Sequence, residues 1–147
     1  MKLAGKAALV TGGGTGIGKA IAHQFVLEGA SVLITGRRRE KLDEAVKDIK
    51  EKVKSSGGGG AGCVDAMPGD VADPEDAEKM VAACVAEFGK LDILVANAGV
   101  FTTGTIPDSP IEEYDRMMDI NVKGTFLVCK YGIPEIEKTG GGSVITV

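Results

Sequence analysis

The residues best placed to do chemistry are the run Thr11-Gly12-Gly13-Gly14-Thr15-Gly16-Ile17-Gly18, set between a short apolar segment and an amphipathic helix. A glycine-rich turn that leaves a buried strand and opens a helix lets backbone amides approach phosphate oxygens closely, and the helix dipole favours their negative charge. The spacing Gly12, Gly16, Gly18 reads G-x-x-x-G-x-G. It is not G-x-G-x-x-G, because counting from Gly12 the last position is Ile17. Gly13 to Lys19 also fits G-x-x-x-x-G-K, but Ala20 follows where a hydroxyl must reach magnesium, so a triphosphate site fails at its most demanding position. On the loop alone, a glycine-rich turn without any ligand stays open.

A second stretch narrows the ligand. A protein that holds NAD is expected to place an acidic residue roughly 20 residues beyond the loop, where it accepts from the ribose hydroxyls. Here the corresponding stretch is Gly36-Arg37-Arg38-Arg39, with no carboxylate before Glu40. Arginines suit a 2′-phosphate, since each charge-assisted hydrogen bond is worth roughly 1.5–3 kcal/mol. The expectation is therefore NADP(H) in preference to NAD(H), with Arg37 and Arg38 at the phosphate. At least one arginine of the three is expected simply to start a solvated helix.

The elements that must position these groups alternate along the chain. Lys6 to Val10 reads as a short buried strand, and the helix after the loop has Ile17, Ala20, Ile21 and Phe25 spaced for one apolar stripe. Gly29 closes it, Ser31 to Thr35 is a second strand, and a charged helix from about Glu40 to Lys54 turns Leu42, Ala45, Val46, Ile49 and Val53 to one face. Ser55 to Gly62 reads as an enlarged, flexible surface loop. A third strand lies within Cys63 to Gly69, and Asp70 to Pro74 supply a cap and a first-turn proline for a helix that reaches Phe88. Leu91 to Ala96 is a fourth strand of the kind buried on both faces. A loop to about Pro110, a long helix through Tyr131 and a last strand from Val144 to Val147 follow. This order predicts an α/β, Rossmann-type doubly wound parallel sheet with right-handed crossovers, residues 1–147 forming one nucleotide-binding domain.

Composition excludes several alternatives. At 147 residues, 44% hydrophobic and 26% charged, the chain is long enough to bury a substantial core. Its net charge of −4 argues against nucleic acid or an acidic membrane as partner. No apolar stretch approaches the roughly 20 residues of a membrane span, and Lys2 to Val10 is too short and mixed for a signal peptide. Cys63, Cys84 and Cys129 have no metal-ligand spacing, so no metal site is expected and free, mostly buried thiols in a reducing, cytoplasmic compartment are. The single histidine, His23, flanks the apolar stripe of its helix and is expected at the surface or its boundary.

Together these motifs resemble the short-chain dehydrogenase/reductase family over nearly the whole chain. Thr11 to Gly18 is similar to its cofactor loop, and Gly69-Asp70-Val71 to the segment whose aspartate meets the adenine. Asp92 to Gly99 resembles its fourth strand and N-A-G turn, with Ala96 where the family often has a second asparagine. Asn121-Val122-Lys123-Gly124 is similar to the N-x-x-G that carries a catalytic asparagine. The resemblance implies hydride transfer between a nicotinamide cofactor and a small carbonyl or alcohol substrate. A tyrosine relays the proton, a lysine four residues on lowers its pKa, and a serine holds the substrate oxygen. It further implies Gly12, Gly14, Thr15, Gly16, Ile17 and Gly18 around the phosphates, Asp70 and Val71 at the adenine, and Asn97, Ala98 and Gly99 on the ribose and nicotinamide side. Asn121 is then the catalytic asparagine, supporting a water chain to the lysine.

The sequence departs from that pattern in its later part. Tyr131 is followed four residues on by Glu135 and Tyr114 by Met118, so no Y-x-x-x-K is present. Ser143 sits at the start of the last strand, too early for the family's serine. The expectation is a sheet of about five strands, incomplete on its C-terminal side, whose last strand is an apolar, uncovered edge that invites aggregation. A full-length form is expected to be a homo-oligomer, and the 147-residue chain alone inactive and poorly soluble. Against the reading as the cofactor-binding part of an oxidoreductase stands a short product that binds dinucleotide, or a partner chain, without catalysis.

Overall fold

Ala7–Thr11 is apolar until its final hydroxyl, and it forms β1, buried along its whole length. Such a run suits an inner strand of a parallel sheet, which is covered on both faces. Side chains alternate between those faces: Ala8 and Val10 join one core cluster and Leu9 the other. The same alternation separates Val32 and Ile34 from Leu33 in β2, Ser31–Gly36, and Ile93 and Val95 from Leu94 in β4, Ile93–Ala96. With β3, Cys63–Pro68, and β5, Ser143–Thr146, these make a five-stranded sheet in the order β3-β2-β1-β4-β5. Every neighbouring pair is parallel. The computed structural model describes residues 1–57 and 62–147, so 58–61 of the expected Ser/Gly loop lie outside the described residues.

Two helices cover each face. On the side of Ala8 and Val10 lie α1, Gly16–Leu27, and α2, Arg39–Ser55, whose Leu42, Ala45 and Ile49 are buried as the spacing predicted. On the side of Leu9 lie α3, Pro74–Phe88, and α5, Thr125–Lys138. The start of α3 is set locally: the Asp73 carboxylate accepts from the amides of Glu75 and Asp76, and Pro74 occupies the first turn. A helix α4, Ile111–Met117, and a π-helical turn, Met118–Gly124, run into α5 without leaving helical backbone angles.

The structure corrects three expectations. In α1 the buried residues are Gly18, Ala22 and Val26, whereas Ile17 and Ala20 are exposed and Ile21 and Phe25 only half-buried. The helix lies so close on the sheet that its contact face takes small side chains, and the larger ones are displaced to its flanks. The helix expected to end at Tyr131 continues to Lys138 although Pro134 stands inside it. Pro134 and Lys130, whose carbonyl loses its partner, are both exposed, while Gly132 and Ile136 extend the buried face begun by Val128 and hold the last turns down. Of the thiols, all free, only Cys84 is buried; Cys129 is half-buried and Cys63 exposed. His23 is half-buried, a boundary residue as expected.

The entry into β1 and β4 is tied by one buried carboxylate. Asp92, 3% exposed, accepts from the Ala7 amide at 2.9 Å, from Lys6 Nζ at 3.0 Å and from Lys90 Nζ at 3.0 Å. That tie fixes the register in which Ala8 meets Ile93 and Val10 meets Val95, and so sets the opposite ends of these strands level with one another.

Candidate functional site

After β1 the chain builds β2 and β3 to one side, then crosses to place β4 and β5 on the other. The reversal between β1 and β4 opens a crevice at the C-terminal ends of the two strands, the place where sheets of this kind bind ligands. A cleft of about 500 Å³ occupies it. Four segments supply most of its walls: Gly12, Gly14, Thr15, Gly16 and Ile17 after β1; Arg37 and Arg38 after β2; Asp70 and Val71 after β3; Asn97, Ala98 and Gly99 after β4. The residues singled out from the sequence therefore converge on one cavity, apart from Gly18 and Asn121, which stand behind its walls. Another cavity, about 490 Å³ and lined by Val26, Lys50, Val53 and Cys63 among others, lies at the far end of β3, away from the glycine loop.

Gly18 is the packing point beneath the loop. A Cβ there would lie 2.5 Å from the Gly12 carbonyl oxygen and 2.5 Å from Asn97 Nδ2. Gly12 has φ +66°, which glycine adopts without strain, and a Cβ on it would meet Ala98 Cα at 2.9 Å. These approaches press the start of α1 against the turn after β4. Thr15, the N-cap, makes no side-chain capping bond, and the first turn of α1 carries no acidic residue. That end of the helix thus keeps its amide donors and its positive dipole for an anion.

Thr11 and Asn97 knit the two strand ends together. Thr11 Oγ1 accepts from the amides of Asn97 and Ala98, both at 3.0 Å, and donates to the Val95 carbonyl at 3.4 Å. Asn97 Nδ2 donates in return to the Thr11 carbonyl at 2.9 Å and to the Gly12 carbonyl at 3.4 Å. Thr11→Val keeps the shape but leaves the amides of Asn97 and Ala98 without their acceptor, so it is expected to cost about 1–3 kcal/mol. Urea unfolding measures the loss, and Thr11→Ser is expected to recover most of it.

Asn121 sits in the π-helical turn and closes on one residue at two points. Its Oδ1 accepts from the Val100 amide at 2.8 Å and its Nδ2 donates to the Val100 carbonyl at 2.8 Å. Since Val100 lines the cleft, Asn121 fixes a wall of it through the backbone. Asp70 is engaged locally too: its carboxylate accepts from the Ala72 amide at 3.0 Å, and its own amide donates to Asp76 at 2.9 Å. Val71 is 6% exposed, and a Cβ on Gly124 would lie 2.7 Å from its Cγ2.

Sequence reasoning missed several wall residues, among them Lys41, Leu42, Val100, Phe101 and Ile120, and it put Thr11 and Gly13 in the loop without the supporting contacts they make. A Cβ on Gly13 would meet Ile34 Cβ at 2.6 Å, so this glycine serves packing against β2. The signal for Lys41 was present, one turn beyond the arginines, but its orientation depends on how α2 meets the loop. Arg39, by contrast, turns away and pairs with Asp43 at 2.9 Å, so it is the arginine that starts a solvated helix. Among the described residues no helix is long and apolar enough to cross a membrane, and no cluster of His, Cys, Asp and Glu could hold a metal ion.

Comparison with known proteins agrees with this geometry. A family model described as short chain dehydrogenase matches residues 6–147. An uncharacterized oxidoreductase of Thermotoga maritima is 44% identical over 147 residues, covering 100% of this chain and 55% of that protein. A short-chain type dehydrogenase/reductase of known structure from Mycobacterium ulcerans superposes with a TM-score of 0.91 at 35% identity, covering 99% of this chain and 52% of the other. A short chain dehydrogenase from Burkholderia cenocepacia, solved in complex with NADP, gives a TM-score of 0.85 at 32% identity and covers 99% and 56% of the two chains. The chain spans about half the length of the relatives it matches. With the sheet order, the glycine loop and the N-A-G turn in their places, the chain belongs to the short chain dehydrogenase family.

Proposed function

We propose that the protein is an oxidoreductase that moves a hydride between NADP(H) and a small carbonyl or alcohol substrate, and that residues 1–147 are its cofactor-binding unit. The observation that carries this reading is the convergence of the glycine loop, the end of β2 with Arg37 and Arg38, and the Asn97-Ala98-Gly99 turn on one crevice. The cofactor fits the residues present: uncapped amides at the start of α1 suit a pyrophosphate, and the two guanidinium groups suit a 2′-phosphate. The complex of the Burkholderia cenocepacia protein with NADP supports the same choice.

In this reading Gly14, Thr15, Gly16 and Ile17 hold the phosphates, with Gly12 and Gly18 setting the close approach that makes room for them. Asp70 and Val71 border the adenine, and Asn97, Ala98 and Gly99 border the ribose and the nicotinamide side. Asn121 holds Val100 and with it the wall beside the reacting end. The bound nicotinamide supplies or accepts the hydride at carbon, and the substrate oxygen gains or loses the matching proton. Neither tyrosine of this sequence has a lysine four residues on to assist that proton, so the groups that move it are outside the set described above. The free thiols suit a reducing, cytoplasmic location. The exposed stripe Met118, Val122 and Phe126 along the continuous helix suits self-association into a homo-oligomer.

The experiment that tests the cofactor assignment is replacement of the two arginines. Arg37→Asp with Arg38→Ala is expected to weaken NADPH binding by about 100-fold or more, two charge-assisted bonds being lost, and to bring NADH to equal or tighter affinity. Unchanged NADPH affinity in that double variant contradicts the arginine assignment.

A further inference from the structure

Three basic side chains line the cleft near the end of β2, and only two of them follow from the strand: the third is Lys41, on the first turns of α2. We propose that Lys41 is a third determinant of NADP(H) specificity, held in reserve by Glu44 and released to the 2′-phosphate when the cofactor binds. This deepens the cofactor reading above and rests on it.

Three observations support the assignment. Lys41 borders the same cavity as Arg37 and Arg38, whereas Arg39, two residues before it, faces a different hollow with Asp43. The distance from Lys41 to the phosphate loop is set by packing: a Cβ on Gly14 would lie 3.4 Å from the Lys41 carbonyl carbon and 3.5 Å from the Leu42 amide. The first turns of α2 are thus seated directly on the glycine loop, and a cation there reaches the phosphate end of the cleft. Lastly, the partner Lys41 has in the structure is easily exchanged. Its Nζ lies 2.7 Å from Glu44 Oε2, one turn along the helix, with the side chains 43% and 64% exposed.

The energetics decide which contact wins. An exposed ion pair of this spacing on a helix is weak, because water and salt screen it. A 2′-phosphate carries close to two negative charges and stands beside two guanidinium groups that already fix it, so a third donor meets a stronger and better-placed acceptor. Lys41 therefore leaves Glu44 for the phosphate, and Glu44 acts as a weak competitor that sets how much of the third contact is realised. NADH has no group for Lys41 to meet.

The test is calorimetric titration of NADPH and NADH into the protein and into Lys41→Met and Glu44→Gln. Lys41→Met is expected to weaken NADPH by about tenfold and to leave NADH within about twofold, since the lost contact is charge-assisted but partly exposed. Glu44→Gln is expected to tighten NADPH by about twofold, the exposed pair no longer competing. An NADPH-to-NADH affinity ratio in Lys41→Met equal to that of the parent overturns the role of Lys41 while the cofactor reading stands. A parent protein that prefers NADH overturns both.

Discussion

Gly18→Ala is expected to abolish tight cofactor binding and to destabilise the fold. The added methyl would stand 2.5 Å from two atoms at once, the Gly12 carbonyl oxygen and Asn97 Nδ2. The amide of Asn97 can swing aside, but only by giving up its bonds to the Thr11 and Gly12 carbonyls. The Gly12 oxygen belongs to backbone that is itself wedged against Ala98, so the start of α1 must lift off the loop instead. Overpacking of this kind costs about 1–3 kcal/mol, and here the strain falls on the backbone that would cradle the pyrophosphate. Cofactor affinity is expected to fall by about 100-fold or more, because the amide donors move as a group. Gly36→Ala is the control for stability, since a Cβ there meets Leu42 Cδ2 at 3.7 Å, an ordinary contact. Urea unfolding and calorimetric titration of both variants separate stability from binding. A Gly18→Ala protein with parental affinity contradicts the packing account.

Asp92→Ala is expected to be strongly destabilising although it lies far from the loop. The buried carboxylate satisfies the Ala7 amide, and Ala7 is 1% exposed, so removal orphans a donor that water cannot reach. Lys6 and Lys90 are 47% and 39% exposed and turn back to solvent, so most of the cost is the orphaned amide and the loss of the tie between β1 and β4. An unsatisfied buried donor costs about 1–3 kcal/mol, and the weakened strand entry places the expected loss in the upper part of that range. Asp92→Asn keeps an acceptor for Ala7 and is expected to cost less.

The same carboxylate predicts a pH dependence. Burial alone would push its pKa up, but the Ala7 amide, Lys90 and Lys6 outweigh burial and hold it below the usual carboxylate range. A folded-state pKa below that of the unfolded chain means that the unfolded state takes up the proton first. The stabilisation is fully present above about pH 4, the unfolded value, and is lost as pH falls through the folded one. The stability gap between the parent and Asp92→Asn should therefore shrink on acidification below about pH 4. The neighbouring Cys84 thiol is pushed up to about 12 by burial and by the charge of Asp92, so it stays protonated and inert.

What the sequence revealed and what it hid divide along the distance between the residues concerned. The start of α3 after Asp70 to Pro74 and its end at Phe88, followed by Gly89 at φ +77°, involve neighbours in the chain, and both bounds were readable. The inner strands were readable because an unbroken apolar run such as Leu94 to Ala96 has few other uses. The glycine loop, the arginines after β2 and the N-A-G turn were readable as motifs, and the crossing at β1 and β4 brings them together. The contact face of α1 was misread because it depends on how near the helix lies to the sheet, and nearness replaces Ile17 and Phe25 with Gly18 and Ala22. The supporting contacts of Gly13 and Thr11, and the place of Lys41 on the cleft, were hidden for the same reason. Each owes its role to a partner far along the chain, Ile34, Asn97 and the glycine loop respectively. The continuation of α5 past Tyr131 was hidden as well, since a solvent-facing proline such as Pro134 is tolerated when Ile136 beyond it is buried.

The central claim, that the crevice between β1 and β4 holds NADP(H), is tested most directly by titrating NADPH, NADH and ATP–Mg into the protein. The chain has no tryptophan, so calorimetry or the fluorescence of the reduced cofactors themselves provides the signal. The account predicts one saturable site for NADPH, binding at least about tenfold tighter than NADH as expected for a charge-assisted contact to the 2′-phosphate, and no binding of ATP–Mg. Cooperatively folded protein that binds ATP–Mg more tightly than NADPH, or binds neither dinucleotide, would contradict it.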